Sequence, residues 1–196
     1  MTELTAERPQ TKERIRAAAA ELFHRKGYAA TGIKEIVTTA SAPFASLYHF
    51  YPGGKAELAE TVIRTSGPMF QQLVEFVWDA APDLESSVLA VFEGAAMTLE
   101  STDYADACPI AVIALEVAST NEVLRIATDD VFAAWVASLA ERFGAAGIDA
   151  PAARSLALTI VALLEGGFML DRAARRTEAL PAAGEQAVRL VRLALP

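Results

Sequence analysis

Few residues in this chain have the types and spacing needed for covalent or metal chemistry. The 196 residues contain two histidines, His24 and His49, and a single cysteine, Cys108. No carboxylate cluster accompanies either histidine, and no basic residue adjoins Cys108 to make its thiol reactive. Packing at a helix end is therefore favoured for Cys108 over redox sensing. We expect neither catalytic residues, nor a metal site, nor a cofactor.

A second group of residues has the types needed to contact phosphate and base edges. Residues 44–49 read FASLYH, with Lys34 before them and Lys55 after them. Tyrosine, serine and histidine side chains hydrogen-bond to phosphate or bases, and lysine supplies a cation for phosphate. Residues 44–49 contain no arginine, asparagine or glutamine, so the bidentate pairings with guanine and adenine are not available there. The stretch predicts contact with nucleic acid in which direct base reading is sparse.

Two short helices are predicted to position these side chains. Apolar residues recur three or four positions apart in residues 33–37 and again in residues 47–51, which is helical spacing. Between them lies ASAP, whose Pro43 cannot continue a preceding helix but suits the first turn of a new one. The pattern predicts a helix-turn-helix whose second helix lies in the major groove of DNA, with Thr31 capping the first helix. The residues expected to contact DNA are Thr31, Lys34, Phe44, Ala45, Ser46, Tyr48, His49 and Lys55.

The segment LYHFYPGGK at residues 47–55 closely resembles the LYxHF-x-x-K signature of TetR-type transcriptional regulators. PGGK, together with ACPIAVIALE at residues 107–116 and VALLEGGFMLDRA at residues 161–173, resembles the LmrA/YxaF-type branch of that family. The resemblance covers nearly the whole chain and is strongest in residues 11–62. Two positions depart from the pattern: Ser41 stands where a turn glycine is usual, and Pro43 stands where a serine or threonine cap is usual.

The resemblance implies an all-α fold of about nine helices. Residues 1–55 would form an N-terminal three-helix helix-turn-helix DNA-binding domain, and residues 56–196 a C-terminal ligand-binding and dimerisation domain. The charge distribution agrees with this division. Residues 1–55 hold eight Lys/Arg and five Asp/Glu, a net charge of +3, whereas residues 56–196 hold nine and twenty, a net charge of −11. The basic end can meet phosphate, and the acidic remainder repels it.

Beyond residue 55 the hydrophobic pattern is helical, with a break expected at Gly67-Pro68 inside the fourth helix. The resemblance implies that this helical body encloses a pocket for a small hydrophobic or aromatic effector. Glu116 and Glu165 each interrupt an apolar run, and the sequence leaves open whether they are paired, face solvent or anchor a ligand. The residues expected to line the pocket are Phe70, Trp78, Phe92, Met97, Tyr104, Cys108, Glu116, Trp135 and Met169.

The last two predicted helices, residues 151–175 and 181–195, suggest self-association. The first is apolar nearly all round, so it needs cover on both sides. Pairing of both helices with their copies would make a homodimer, which the family resemblance also implies. Such a dimer would hold its two recognition helices about 34 to 36 Å apart, which is one helical turn of DNA, so that they could bind the two half-sites of a palindrome. The expected interface residues are Leu156, Ile160, Leu163, Leu164, Gly167, Val188 and Val191.

Together these features predict a ligand-responsive, DNA-binding transcriptional regulator, most simply a repressor released from a palindromic operator by its effector. Two alternatives are a helical-bundle enzyme or carrier, and a DNA-binding protein without an effector. The N-terminus lacks the apolar segment of a secretory signal, and the apolar run at residues 156–170 is shorter than the ~20 residues of a membrane span. We expect a cytoplasmic protein without a membrane partner.

Overall fold

The structure is a computed structural model that describes residues 3–106 and 108–196. Within these residues the chain forms nine α-helices and no β-strand, which confirms the predicted all-α class. The helices are α1 (Glu3–Lys26), α2 (Ile33–Thr39), α3 (Phe44–Phe50), α4 (Gly54–Asp79), α5 (Leu84–Ser101), α6 (Pro109–Val117), α7 (Glu122–Ala145), α8 (Ala150–Ala174) and α9 (Ala179–Ala194).

The helix ends follow local signals in the sequence. The Asp83 carboxylate accepts a 2.8 Å hydrogen bond from the Ser86 amide at the start of α5, and the Asn121 side chain accepts one of 3.1 Å from Leu124 in α7. Such caps satisfy amides that have no partner within the helix. Gly27 ends α1 with a φ of 85°, a conformation that glycine adopts without steric cost.

Two prolines lie inside helices. Helix α1 starts at Glu3 and passes through Pro9. Helix α4 continues through Gly67 and Pro68, where a break was predicted. A proline removes one backbone hydrogen bond. In α4, Val62 and Ile63 are buried before Pro68 and Trp78 is buried near the end of the helix, whereas Met69, Leu73 and Phe76 are exposed. This burial pattern does not explain why the helix continues through the proline.

The turn between α2 and α3 contains the residue that replaces the usual glycine. Ser41 adopts a φ of 49°, in the left-handed region. The Ser41 amide bonds to the Thr38 carbonyl at 3.0 Å, and the Ala42 amide to the Val37 carbonyl at 2.9 Å. A left-handed conformation costs a residue with a Cβ about 1 kcal/mol. The turn therefore forms in spite of the substitution, and its hydrogen bonds offset part of the strain.

The described chain packs as two compact units. The first, which we call the reader unit, contains residues up to 67 and residues 109–129; the second, the body unit, contains residues 68–108 and 130–196. This differs from the predicted boundary after residue 55, because the first half of α4 and all of α6 pack with the helix-turn-helix. Helix α6 contributes the buried Ile110, Ile113 and Val117 to the reader unit.

In the body unit α9 packs against α5 and α8. The turn between α8 and α9 is held by the buried carboxylate of Asp171, which accepts hydrogen bonds from the amides of Glu178, Ala179 and Leu180 at 3.0, 2.7 and 2.9 Å. By length and composition α8 would be able to cross a membrane, although the apolar run at residues 156–170 was predicted to be too short for a span. Its packing against α5 and α9 is equally typical of a core helix.

Candidate nucleic-acid interface and internal cavity

Helix α3 divides its side chains between the core and solvent as its spacing predicts. Leu47 is fully buried in the reader unit. Phe44 and Tyr48 are 54% and 44% exposed, and Ala45 and His49 are also exposed. Large aromatic side chains at this exposure are suited to contact a partner, because exposed apolar surface has a cost in water. Most of the residues predicted to face DNA on this helix therefore form one accessible surface, with Ser46 half-buried at its edge.

The ring of Tyr48 is held by its neighbours on two sides. Its centroid lies 5.8 Å from that of Phe44. On the other side, a Cβ added to Gly54 would lie 3.4 Å from Tyr48 Cε1. Gly54 has a φ of 67° and begins α4. The glycine turn after α3 thus brings the start of α4 against the tyrosine ring and leaves its other face in solvent.

Thr31 has a different role from the one predicted. It is 1% exposed, and its hydroxyl donates a 2.7 Å hydrogen bond to the carbonyl of Gly27. Gly32 is the N-cap of α2, which has no side-chain cap. Thr31 therefore closes the loop after α1 and presents no hydroxyl to a phosphate. Lys34 is exposed in the first turn of α2 and remains the cation available at that helix end.

Lys55 is half-buried in the reader unit. Its Nζ lies 4.3 Å from the centroid of the Tyr28 ring and 3.5 Å from the Ala29 carbonyl oxygen. Burial lowers the pKa of Lys55, and the nearby carboxylate of Glu116 partly offsets this effect. The ammonium group therefore contacts the loop between α1 and α2, a contact that its sequence position does not indicate.

Glu116 lies in the reader unit, whereas it was predicted to line the pocket. Its Oε2 accepts a 2.5 Å hydrogen bond from the amide of Ala29. Its Oε1 occupies the space where a Cβ at Gly27 would stand. A carboxylate on α6 thus holds the loop that precedes α2. The pairing joins distant parts of the chain, and no local pattern in the sequence indicates it.

Arg14 is a further residue that supports the helix-turn-helix. Its Nε donates a 3.0 Å hydrogen bond to the carbonyl of Ala40, the C-cap of α2. The bond ties α1 to the turn of the helix-turn-helix. The spacing of basic residues on α1 gave no sign of it, because the acceptor is a backbone carbonyl 26 positions away.

The body unit contains a mostly apolar cavity that is partly open to solvent. Four of the residues predicted to line a pocket are part of its wall: Phe70, Trp78, Phe92 and Trp135. The Phe70 and Trp135 ring centroids lie 5.0 Å apart. The other lining residues are Gln71, Val74, Glu75, Val88, Val91, Ser138, Leu139, Arg142, Ile160, Val161, Leu164 and Glu165.

The remaining predicted pocket residues lie elsewhere. Met97 and Met169 are 69% and 61% exposed on the outer faces of α5 and α8. Tyr104 adopts a φ of 60° in the loop after α5, where the Arg175 guanidinium lies 5.8 Å from its ring. Cys108 is buried just before α6. The type of a residue does not show which face of a helix it occupies, and that face decides whether the side chain reaches the cavity.

The polar groups of the cavity wall differ in how well they are satisfied. Glu75 accepts hydrogen bonds from Gln71 at 2.9 Å and Ser138 at 2.7 Å, and these bonds lower the pKa of its carboxyl group. Arg142 pairs with Asp79 at 2.5 Å. Both groups thus have strong partners within the body unit.

Glu165 is the exception. Burial raises the pKa of its carboxyl group from 4.5 to about 6, while a hydrogen bond from the Cys108 thiol acts in the opposite direction. A thiol is a weak donor, so it stabilises the carboxylate less than an amide or hydroxyl would. The sequence left the environment of Glu165 open, and the structure places it in the wall of an apolar cavity.

Comparison with known proteins decides the family. Residues 15–62 match the description "Bacterial regulatory proteins, tetR family", and residues 85–186 match "Transcriptional regulator LmrA/YxaF-like, C-terminal domain". The uncharacterized HTH-type transcriptional regulator YxaF of Bacillus subtilis is 32% identical over 185 residues, which cover 94% of this chain and 97% of that protein. The chain belongs to the LmrA/YxaF-like branch of the TetR family.

Two further proteins resemble this chain. The HTH-type transcriptional regulator LmrA of B. subtilis is 26% identical over 87% of this chain and 90% of its own length. The crystal structure of regulatory protein TetR from Rhodobacter sphaeroides superposes with a TM-score of 0.81 at 19% identity, over 91% of this chain and 97% of that one. These TetR-family relatives are transcriptional regulators, and this chain is one too, rather than an enzyme.

In this TetR-family chain, most residues predicted for a dimer interface are buried within the single subunit. Helix α8 packs on α9, and six of those residues face this internal contact or the adjoining core: Leu156, Ile160, Leu164, Gly167, Val188 and Val191. Leu163 is half-buried. The sequence reading assigned the apolar stripe to a partner, but the stripe covers the subunit's own core. The exposed apolar residues of the same helices are Leu158, Met169, Leu170, Leu190 and Leu193.

Proposed function

We propose that this TetR-family regulator is a repressor that leaves a palindromic operator when a small apolar or aromatic effector occupies the body-unit cavity. The observation that carries the proposal is the course of α4. This helix begins directly after the recognition helix α3 and its glycine turn. Its second half lines the cavity with Phe70, Val74 and Trp78. A ligand that displaces these side chains moves the helix that follows the DNA-contacting surface.

A second path, through two hydrogen bonds and helix α6, supports the same coupling. Cys108, which donates to the cavity carboxylate Glu165, immediately precedes α6. Near the other end of α6, Glu116 holds the amide of Ala29 in the loop before α2. Rearrangement at Glu165 therefore acts on a helix whose far end restrains the reader unit. Coupling through two elements with alternative positions is the physical basis of allostery.

The proposed DNA contacts divide by role. Tyr48 and Lys34 bind phosphate, whereas Ser46 and His49 contact base edges and Phe44 and Ala45 contact thymine methyl groups. With few base-specific donors on α3, sequence preference depends on DNA shape and on the spacing of two half-sites. Thr31 is not proposed as a DNA contact. Lys55 is proposed to position the loop after α1.

The proposed homodimer uses the outer faces of α8 and α9. Leu158 and Met169 are exposed on one face of α8, Leu170 is exposed about 100° round the helix from Met169, and Leu190 and Leu193 are exposed on one face of α9. Exposed apolar side chains at helical spacing on two adjacent helices are suited to a four-helix interface with a second copy. Because the proposed target is operator DNA, we place the dimer in the cytoplasm and assign it no membrane partner.

Footprinting of the purified protein on DNA flanking its own gene tests the proposal. We expect protection of an inverted repeat whose half-sites are centred about one helical turn apart. Affinity for this site should fall steeply as salt rises, because lysine contacts release counterions from the phosphates. Uniform weak coverage, without a preferred site, would indicate an architectural DNA-binding protein instead.

A further inference from the structure

The cavity of the body unit combines aromatic walls with one weakly satisfied carboxylate. Phe70, Trp78, Phe92 and Trp135 supply ring surfaces, and Glu165 interrupts them. Among the described residues, the hydrogen bond to the Glu165 carboxylate comes from the Cys108 thiol. A buried carboxylate needs stronger compensation than a thiol provides. The position thus has unused capacity to accept hydrogen bonds.

The charges around the cavity favour a cation as the missing donor. Glu75 and Glu165 are the acids of its wall, and Arg142 is the base. Arg142 is already paired with Asp79, so it is not available to bind an anion. Aromatic ring faces also attract cations, and the Trp78 ring already lies 5.6 Å from the Arg142 guanidinium. An anionic ligand would be repelled, and a neutral ligand would bring no opposite charge to the Glu165 carboxylate.

We propose that the effector is an aromatic or other flat apolar molecule that carries a protonated amine, and that the ammonium group donates to the carboxylate of Glu165. This inference rests on the effector site of the proposed function and names the chemical class that the site accepts. The apolar body lies against the rings of the cavity wall, and the amine reaches the carboxylate. Binding at this position also changes the environment of Cys108, the residue before α6.

Ligand binding can be measured on the full-length protein with its own fluorescence. The chain contains two tryptophans, and both of them, Trp78 and Trp135, line the cavity. Three probes with the same biphenyl body serve as ligands: 4-phenylbenzylamine, which is a cation at pH 7, neutral 4-phenylbenzyl alcohol, and anionic 4-phenylbenzoate. Titration of each probe into the wild type and Glu165→Gln, followed by tryptophan emission and calorimetry, gives six affinities.

We expect the wild type to bind the amine at least tenfold more tightly than the alcohol, since a charge-assisted hydrogen bond is stronger than one between neutral groups. The benzoate should bind most weakly. Glu165→Gln should lose the preference for the amine while it keeps its affinity for the alcohol, which would show that the cavity is intact. Glu75→Gln, on the same cavity wall, should retain the preference.

Two results would overturn the inference. One is an equal ranking of the three probes in the wild type and Glu165→Gln; the other is the absence of binding by all three. A different result would contradict the proposed repressor function alone. If the amine bound with the expected dependence on Glu165 but left DNA affinity unchanged, the ligand class would stand and the regulatory role would not.

Discussion

At the scale of single residues, Tyr48 shows how the backbone prepares a side chain for contact. Its ring rests on Phe44 and on the Gly54 turn, while 44% of the residue stays exposed. Fixing the ring before binding reduces the side-chain entropy that is lost on association. We therefore assign to Tyr48 a pre-positioned phosphate contact, one that carries no information about base sequence.

Tyr48→Phe should weaken DNA binding about equally on operator and non-operator sequences. Loss of one hydrogen bond of about 1 kcal/mol corresponds to roughly a fivefold loss per half-site. Fluorescence anisotropy on both DNAs at one salt concentration measures this. His49→Ala is the matched control, because a base contact should alter discrimination between the two sequences. Reduced discrimination in Tyr48→Phe with intact operator affinity would mean that Tyr48 reads bases.

The raised pKa of Glu165 predicts an unusual pH dependence of the free energy of unfolding. Its pKa is about 6 in the folded protein and 4.5 ordinarily, so the folded state binds more protons between these values. Stability from this group is therefore present below pH 4.5 and is lost as pH rises through 6. Glu165→Gln should be more stable than the wild type at pH 7 by up to about 2 kcal/mol. Urea unfolding at pH 7 and 4.5 should show this difference closing in acid.

The pKa of Glu75, on the same cavity wall, is shifted in the opposite direction from that of Glu165. Hydrogen bonds from Gln71 and Ser138 lower its pKa, so its contribution to stability is present above its ordinary pKa and is lost as pH falls. Glu75→Gln should therefore not be stabilised at pH 7. If both variants gained stability at pH 7, a general effect of removing acidic charge would explain the result for Glu165.

At the scale of helices and loops, periodicity and caps predicted most of the architecture. Asp83 and Asn121 cap α5 and α7, and such caps can be recognised in a sequence because they depend on residues within one turn. The continuity of α4 through Pro68 was not predicted. A proline makes a helix less favourable at that point without forbidding it, so the local signal does not decide whether the helix ends there.

Site residues were predicted correctly where local helical spacing sets their position, and were missed where a contact with a distant part of the chain sets it. The exposed face of α3 follows from which residues of that helix must be buried, so Tyr48 and His49 were placed correctly on the surface. Thr31 and Glu116 were not predicted correctly, because their partners are the Gly27 carbonyl and the Ala29 amide. Backbone partners leave no residue-type signal in a sequence.

Glu116→Ala should loosen the loop between α1 and α2. The substitution removes the acceptor for the Ala29 amide and the charge beside Lys55. Hydrogen exchange at Ala29 should accelerate, and the protein should lose about 1 kcal/mol of stability. Glu100→Ala, a loss of an acid on α5 in the body unit, controls for net charge. Unchanged exchange at Ala29 would show that the carboxylate does not restrain the loop.

At the scale of the whole molecule, the outer faces of α8 and α9 predict the assembly. Leu193 is 84% exposed, and a charge there would be buried on dimerisation. Leu193→Arg should yield a folded monomer, seen as an unchanged helical circular dichroism spectrum and a halved mass in analytical ultracentrifugation. Phe76→Arg, at an exposed aromatic residue on α4, should remain dimeric. A dimer that persists in Leu193→Arg would place the interface elsewhere.

In the proposed mechanism, the body-unit cavity and the DNA-contacting surface control one another. The most direct measurement is the affinity for the footprinted operator without and with saturating 4-phenylbenzylamine, together with the affinity for the amine without and with saturating operator. Thermodynamic linkage requires both affinities to change by one shared factor, which is typically about 5- to 150-fold. We predict a fall by the same factor in both titrations, which in Glu165→Gln is reached only at higher concentrations of the amine. Tight binding of the amine with no change in operator affinity would contradict the coupling.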